Sequence, residues 1–254
     1  MIRSLLAHPL TRGLDIDDPR TTELRRQVVQ QKPFLRQIYE EWYTAMAAAV
    51  PAGEGRVAEL GSGPGFLEQF IPGLITTEIL YCRGVQAVLD GCALPFREGS
   101  LRGIVMTGVL HHLPEPRRFF REAARVVRPG GAVILHEPWV SAWSRFVYRR
   151  LHYEPFDERA GWECAGKGPL SRANNALPWI LFERDRAAFE REFPQWRVDR
   201  IEPGMPFRYL CSGGVTMRDL MPGPAFGLFR WVERRMQPWM KTWAMFAVIR
   251  LVRR

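Results

Sequence analysis

The chain has 254 residues, 46% of them apolar, 12% aromatic and 25% charged, with a formal net charge of +9. These figures suit one globular domain with a core large enough to need no staples, and they exclude a disordered or collagen-like chain. The cysteines (Cys82, Cys92, Cys164 and Cys211) form no C-x-x-C pair and have no histidine at zinc-finger spacing, so they read as reduced thiols, with no metal site expected. MIRSLLAHPL holds too short an apolar run for a signal peptide, and no small-residue cleavage site comes after it. Nowhere do ~18 apolar residues run on, so no bilayer-spanning helix is predicted and the expected location is the cytoplasm.

Asp17-Asp18-Pro19 predicts a helix start, with proline where its missing N–H costs least. A second helix is predicted over 34–50, with Leu35, Ile38, Trp42 and Met46 on one side. Pro51 to Gly55 ends it. Short apolar runs then alternate with helical patterns, which argues for parallel strands joined by crossovers. The candidate strands are Val57–Leu60, Leu74–Glu78, Val85–Asp90, Leu101–Thr107 and Ala132–Glu137. Helices are predicted over 66–70 and 114–127, the latter stopped by a tight turn at Arg128-Pro-Gly-Gly131. Beyond Glu137, SAWSRFVYRRLHYEPF reads as helical, 157–177 as loop and 178–193 as a helix with proline in its first turn. Strands are predicted at Trp196–Glu202 and Met245–Val252. The insertion between them is basic: residues 203–254 carry nine Lys/Arg against two acids, Asp219 and Glu233.

VAELGSGPGF, from Val57 to Phe66, is the most informative stretch. Strand, acid, glycine turn and helix start make a nucleotide-type site, because glycines admit close backbone approach and a helix N-terminus offers free N–H groups. The NAD form of the turn is G-x-G-x-x-G; here Gly65 comes one residue early and Phe66 takes the place that form needs. A P-loop is absent, and Pro64 removes a donor from the turn. The expected ligand therefore lacks a pyrophosphate.

These residues resemble the class I S-adenosylmethionine (SAM) methyltransferases, in their small-molecule branch. VAELGSGPG is similar to that family's E/D-x-G-x-G-x-G motif, and CALPFREGSLRGIVMTGVLHHLPEPRRFFREAARVVRPGG resembles its middle signature, a match covering about 57–137. The resemblance implies an α/β fold: a Rossmann-like, seven-stranded, mostly parallel sheet with N-terminal helices and a helical insertion before the last strand. One domain over 1–254 is expected: N-terminal helices 1–55, SAM-binding core 56–140, acceptor-side helices and sixth strand 141–202, basic aromatic cap 203–244 and last strand 245–254.

By the same resemblance Gly61, Ser62, Gly63 and Gly65 would lie against the methionine part of SAM, with Glu59 ordering the turn and the amino group. Glu78 would accept both ribose hydroxyls, two oxygens matching two vicinal donors. Asp90 would take the adenine amino group, with Gly91, Cys92 and Ala93 along the ring, and Thr107 and Gly108 would face the sulfonium. Glu78 and Asp90 stand only 12 residues apart, so the helix between those strands shrinks to a turn or less. Arg102-Gly103 replaces the Asp that commonly opens the family's fourth strand.

His111 is the first candidate base and Glu137, ending the fifth predicted strand, the second. The bland alternatives are a packed or capping role for the His111-His112 pair and an ion pair with an arginine for Glu137. Tyr148, His152 and Tyr153 are weaker candidates. The insertion reads as a helical cap, with Leu228, Val232 and Met236 at helical spacing. It could also form a lid whose Phe207, Tyr209, Phe226 and Trp231 line an acceptor pocket, or a contact with an anionic membrane at its inner face. The expected activity is methyl transfer from SAM to a small-molecule, lipid-like or saccharide-like acceptor, most simply O-methylation. The alternatives are an RNA methyltransferase and a non-catalytic SAM-binding protein; nucleic acid is disfavoured because the bases sit in a Trp- and Met-rich insertion with no recognisable RNA module.

Overall fold

The central strands carry near-continuous apolar runs, as strands covered on both faces must. A computed structural model of the chain describes residues 6–152, 154–164 and 166–254, and its strands form one seven-stranded sheet. They are β1 Arg56–Leu60, β2 Ile75–Glu78, β3 Ala87–Val88, β4 Leu101–Thr107, β5 Val127–Pro138, β6 Trp196–Gly204 and β7 Phe246–Arg253. The order across the sheet is β3-β2-β1-β4-β5-β7-β6, with β7 antiparallel to both its neighbours and the other pairs parallel. Strand order reverses between β1 and β4, and the crevice outside the carboxyl ends at such a reversal is where open α/β sheets take their ligands.

Alternation along each strand sorts the side chains into two layers. Ile104, Met106, Val133 and Leu135 face one cluster, with Phe119, Phe120, Ile180, Phe189 and Trp196. Val105, Ala132 and Ile134 face the other, with Phe34, Leu35, Ile38, Trp42 and Met46. Around the sheet lie helices α1 Pro19–Gln31, α2 Pro33–Ala49, α3 Pro116–Val126, α4 Ala142–Leu151 and α5 Leu177–Trp179, which runs through a π turn, Ile180–Arg184, into α6 Arg186–Glu192. The Asp18 side chain caps α1 by accepting from the Arg20 amide, with Pro19 opening the helix as expected. Pro33 opens α2, whose predicted apolar side is its buried side.

Several elements differ from the sequence expectation. The predicted strand 85–90 shrinks to the pair Ala87–Val88, because the short link from Glu78 holds no helix and reaches only the sheet's edge. The helix expected over 66–70 is a single 3-10 turn, Leu67–Gln69. Arg128 to Gly131 does not separate helix from strand: Val127 already pairs with Leu101, and a register shift between Leu101 and Gly103 absorbs the extra residues, with Gly130 at φ 77.

The insertion carries α7 Arg208–Cys211, α8 Phe226–Arg235 and α9 Met240–Trp243. Here the expected stripe splits, with Met236 packed on the core and the other two members turned outward. Leu228 is 64% exposed and Val232 36%, while Phe226 and Glu233 of the same helix are buried. Electrostatics favours this rotation. Glu233 is drawn inward by Arg208, whose Nε donates to its Oε2 at 2.5 Å and whose Nη atoms donate to Glu41 of α2 at 3.0 and 2.7 Å. Glu233 Oε1 also accepts from the amides of Phe207 and Arg208. Arg230 joins Arg208 on Glu41, at 2.8 Å. Lys32, buried between α1 and α2, donates to the carbonyls of Ser212, Gly214 and Met217, and so ties the insertion at a second point.

Arg208→Ala would leave Glu233 buried without its counter-charge, so a loss of about 3–5 kcal/mol in chemical denaturation is expected. A change near zero would show that apolar packing alone holds the insertion.

Candidate functional site

The carboxyl ends of β1, β2 and β4 bring most of the predicted residues to one edge. The glycine turn after β1 is fixed from three sides. Gly61 and Gly63 adopt φ of 67 and 46, a region that other residues enter only with strain. The Gly65 amide donates to the Ser62 carbonyl at 2.8 Å, and a Cβ at Gly65 would run into the Tyr43 hydroxyl of α2. A Cβ at Gly61 would run into Val109 in the loop after β4. The turn thus sits between α2 and that loop with no room for side chains at either glycine.

Two buried carboxyl groups flank it. Glu59 accepts from the Ser62 hydroxyl at 2.7 Å, and burial pushes its pKa up to about 8 against the pull of that hydrogen bond. Glu78, ending β2, accepts from the Gly63 amide at 3.0 Å and the Ile79 amide at 2.7 Å. Burial outweighs both bonds and raises its pKa. Asp90 stands exposed beyond β3, with Oδ1 accepting from the Cys92 amide at 2.8 Å. Gly91 is buried against Leu60 and Leu113, and burial pushes the Cys92 thiol up to about 11, which leaves it unreactive. All four cysteines are free.

Thr107 and Gly108 continue β4 into the loop that faces the turn. The Gly108 amide donates to the His136 carbonyl at 2.8 Å, and Thr107 Oγ1 reaches Met46 Sδ at 3.5 Å. Glu137, fully buried at the end of β5, shapes the rest of that loop. Its Oε1 accepts from the amides of Val109 and Leu110 at 2.8 and 2.7 Å, and its Oε2 lies 2.6 Å from His111 Nδ1. No arginine pairs with it among the described residues: its partners are the β4 loop and His111. Because the partner is a carboxylate, Nδ1 carries the proton and Nε2 is left with its lone pair. Burial disfavours the His111 imidazolium, but Glu137, with Glu154 Oε2 at 3.8 Å from Nε2, outweighs it and raises the pKa.

Glu154, from the loop after α4, is the group that sequence reasoning missed; nothing in its spacing marks it. Its Oε2 takes His152 Nε2 at 3.1 Å and Asn175 Nδ2 at 3.0 Å. Burial opposes its ionisation, yet the His152 hydrogen bond and the neighbouring imidazoles hold its pKa below the usual carboxylate range. His112 does not cap the next helix. Its Nδ1 meets the Arg172 carbonyl at 2.9 Å, and burial together with His111 lowers its pKa to about 4. His111, His112 and Glu154 each offer a ligand atom within 4.8 Å of the others, so a divalent ion could be held, in competition with His152 and Asn175 for Glu154.

Of the weaker candidates, His152 belongs to this cluster through Glu154, and Tyr148 stands against His152. Tyr148 donates to the Met245 carbonyl at 3.2 Å, and Tyr153 lies outside the described residues. Of the predicted pocket-lining aromatics, Trp231 is 56% exposed, Phe226 packs on Phe34, and Phe207 lies against Trp143 and Trp243. Tyr209, the fourth, packs against Trp42 and Phe246. A cleft of about 180 Å³ does open beneath α8, lined by Glu41, Trp42, His136, Arg208, Glu233 and Met240 among others. Burial between Trp42 and Phe246 lowers the His136 pKa to about 3 and keeps it neutral.

Comparison with known proteins agrees with this geometry. Residues 76–135 match the methyltransferase domain family. An uncharacterized methyltransferase of Mycobacteroides abscessus is 30% identical over 120 residues, covering 42% of this chain and 46% of its own. One of Mycobacterium sp. (strain JLS) is 36% identical over 65 residues, covering 25% and 26%. The matches thus span less than half the length of those relatives. Among solved structures, geranyl diphosphate C-methyltransferase from Streptomyces coelicolor A3(2), in complex with Mg2+, geranyl-S-thiolodiphosphate and S-adenosyl-L-homocysteine, superposes with a TM-score of 0.54 at 10% identity, over 98% of this chain and 87% of its own. A methyltransferase complex with the Haloferax volcanii Trm112 activator gives 0.52 at 14% identity, over 94% and 97%. These likenesses concern the fold. Residues 76–135 thus resemble a methyltransferase domain, within a chain that has the fold of the class I methyltransferases.

The raised pKa of Glu59 sets a pH dependence. Its contribution to stability is fully present below the ordinary 4.5 and is lost as pH rises through about 8. Glu59→Gln removes the buried ionisation, so its melting temperature should gain on the parent between about pH 5 and about pH 9. Parallel melting curves at all pH values would show that Glu59 ionises without cost.

Proposed function

We propose that the chain transfers the methyl group of SAM to a hydroxyl of a small or lipid-like acceptor. The observation that carries this reading is the buried His111–Glu137 pair beside the glycine turn. A hydroxyl must shed its proton to attack, and so needs a base that an uncharged amine does not. SAM, when bound, supplies a methyl group already activated by a cationic sulfur.

The donor set suits that group better than a phosphate-bearing one. Pro64 lacks the amide that a phosphate cradle would use, and the two carboxyl groups offer acceptor oxygens that suit hydroxyl and amino donors better than phosphate oxygens. Glu78 would hold the ribose hydroxyls, Asp90 with Gly91 and Cys92 the adenine, and Glu59 the amino group. Gly61 to Gly65 would lie along the methionine part, and Thr107 and Gly108 beside the sulfonium. His111 would accept the acceptor's proton at Nε2 while Nδ1–H stays on Glu137. Glu137 acts as a positioning residue: it fixes the ring and stabilises the imidazolium as it forms. The remaining work of the protein is alignment and exclusion of water.

Three measurements test the reading. Calorimetry should detect S-adenosylhomocysteine binding, weakened about 10- to 100-fold in Glu78→Ala, the worth of a charge-assisted hydrogen bond or two. Uptake of NAD or ATP instead would overturn the assignment. Incubation with methyl-labelled SAM and cell extract should label a small-molecule or lipid fraction. Label in RNA alone would favour an RNA acceptor, and no transfer despite binding would leave a SAM-binding protein without catalysis. With the labelled acceptor in hand, His111→Gln should slow turnover roughly 10²- to 10⁴-fold and spare S-adenosylhomocysteine affinity. The pH profile should rise through a midpoint above the 6.5 of a free imidazole, with Glu154 and His112 also facing the ring, and Glu137→Gln should move that midpoint down. Undiminished turnover in His111→Gln would remove the base from the mechanism.

A further inference from the structure

We infer that the outer face of α8, continued through Trp239 and Lys241, is a docking surface for an anionic lipid bilayer. The helix is apolar on two sides, where an amphipathic surface helix is apolar on one. Its inner side packs Phe226 and Phe229 on Phe34 and engages Glu233 with Arg208 and Arg230 with Glu41. Its solvent side presents Leu228 at 64% exposure and Trp231 at 56%, and Trp239 just beyond stands at 60%. Single exposed apolar residues are ordinary, but Leu228, Trp231 and Val232 recur on one side of α8, with Trp239 exposed in the turn that follows.

The charges around this face choose the partner. From Leu220 to the last residue the only acid is Glu233, and it is buried. Arg234, Arg235 and Lys241 are exposed, with no carboxylate within ion-pair distance among the described residues. Arg235 lies 5.1 Å over the Trp231 ring, which places a cation beside the aromatic face. Aliphatic and indole groups ringed by uncompensated cations match the acyl–headgroup boundary of an anionic leaflet, where indole rings prefer to sit. An RNA partner is matched less well, since Leu228 and Val232 can neither stack on a base nor bind phosphate. No described helix is long and apolar enough to cross a membrane, so the contact is peripheral. Arg234, Gln237 and Met240 of the same segment line the cleft beneath it, so docking would bring that cleft to the lipid surface. The inference does not depend on the methyl-transfer reading.

The test is co-sedimentation of the full chain with phosphatidylcholine vesicles, with and without phosphatidylglycerol. Binding is expected only to the anionic vesicles at low salt, with release at high salt. Tryptophan fluorescence should be quenched by brominated acyl chains. The double variant Leu228→Ser with Trp231→Ser should bind at least roughly tenfold more weakly, the worth of one buried apolar side chain, with an unchanged melting temperature and unchanged S-adenosylhomocysteine affinity. Three outcomes would overturn the inference: no sedimentation with either vesicle, equal sedimentation of parent and double variant, or concentration-dependent self-association that the double variant abolishes. Steeply salt-dependent RNA binding in place of vesicle binding would do the same.

Discussion

One enclosed carboxylate organises the edge of the sheet that holds the candidate site. Glu137 has no contact with solvent, and it holds the amides of Val109 and Leu110 together with the ring of His111. A buried charge is tolerated only when its lone pairs are met, and these donors all come from the loop after the neighbouring strand. That loop is therefore locked to the end of β5. Its Val109 in turn closes on Gly61, so the glycine turn and the histidine are placed relative to each other by one chain of contacts.

The same logic of satisfied buried charge operates in the insertion. Arg208 joins Glu233 of α8 to Glu41 of α2. The consequence there is rotational: anchoring the charged side inward leaves leucine, valine and tryptophan on the outside. Phe226 and Phe229 pack inward on Phe34, so aromatic contacts and the ion pair agree on that rotation. The two networks stand apart, one on the β4 loop and one on α2, so the surface character of α8 can vary without disturbing the histidine.

The middle of the chain was legible because local signals agreed there. Parallel central strands buried on both faces leave continuous apolar runs, and Leu101–Thr107 coincides with β4 residue for residue. Glycines at 61, 63 and 65 announce a turn whose backbone conformation and crowding other residues would not accept. The edge strand was over-read because a two-residue pairing has no periodicity to detect. Glu154 was invisible because its partners, His111 and His152 beside it and Asn175 beyond the next loop, meet only when α4 and that loop fold back.

By itself the sequence determined the sheet's central strands, the glycine turn, the acids on either side of it and the basic bias of residues 203–254, since each is written in a run of neighbouring residues. Only the tertiary structure decided which group Glu137 serves, that Glu154 joins His111, and which side of α8 meets water. Those outcomes depend on how buried charges find partners far along the chain, and no local pattern records that choice.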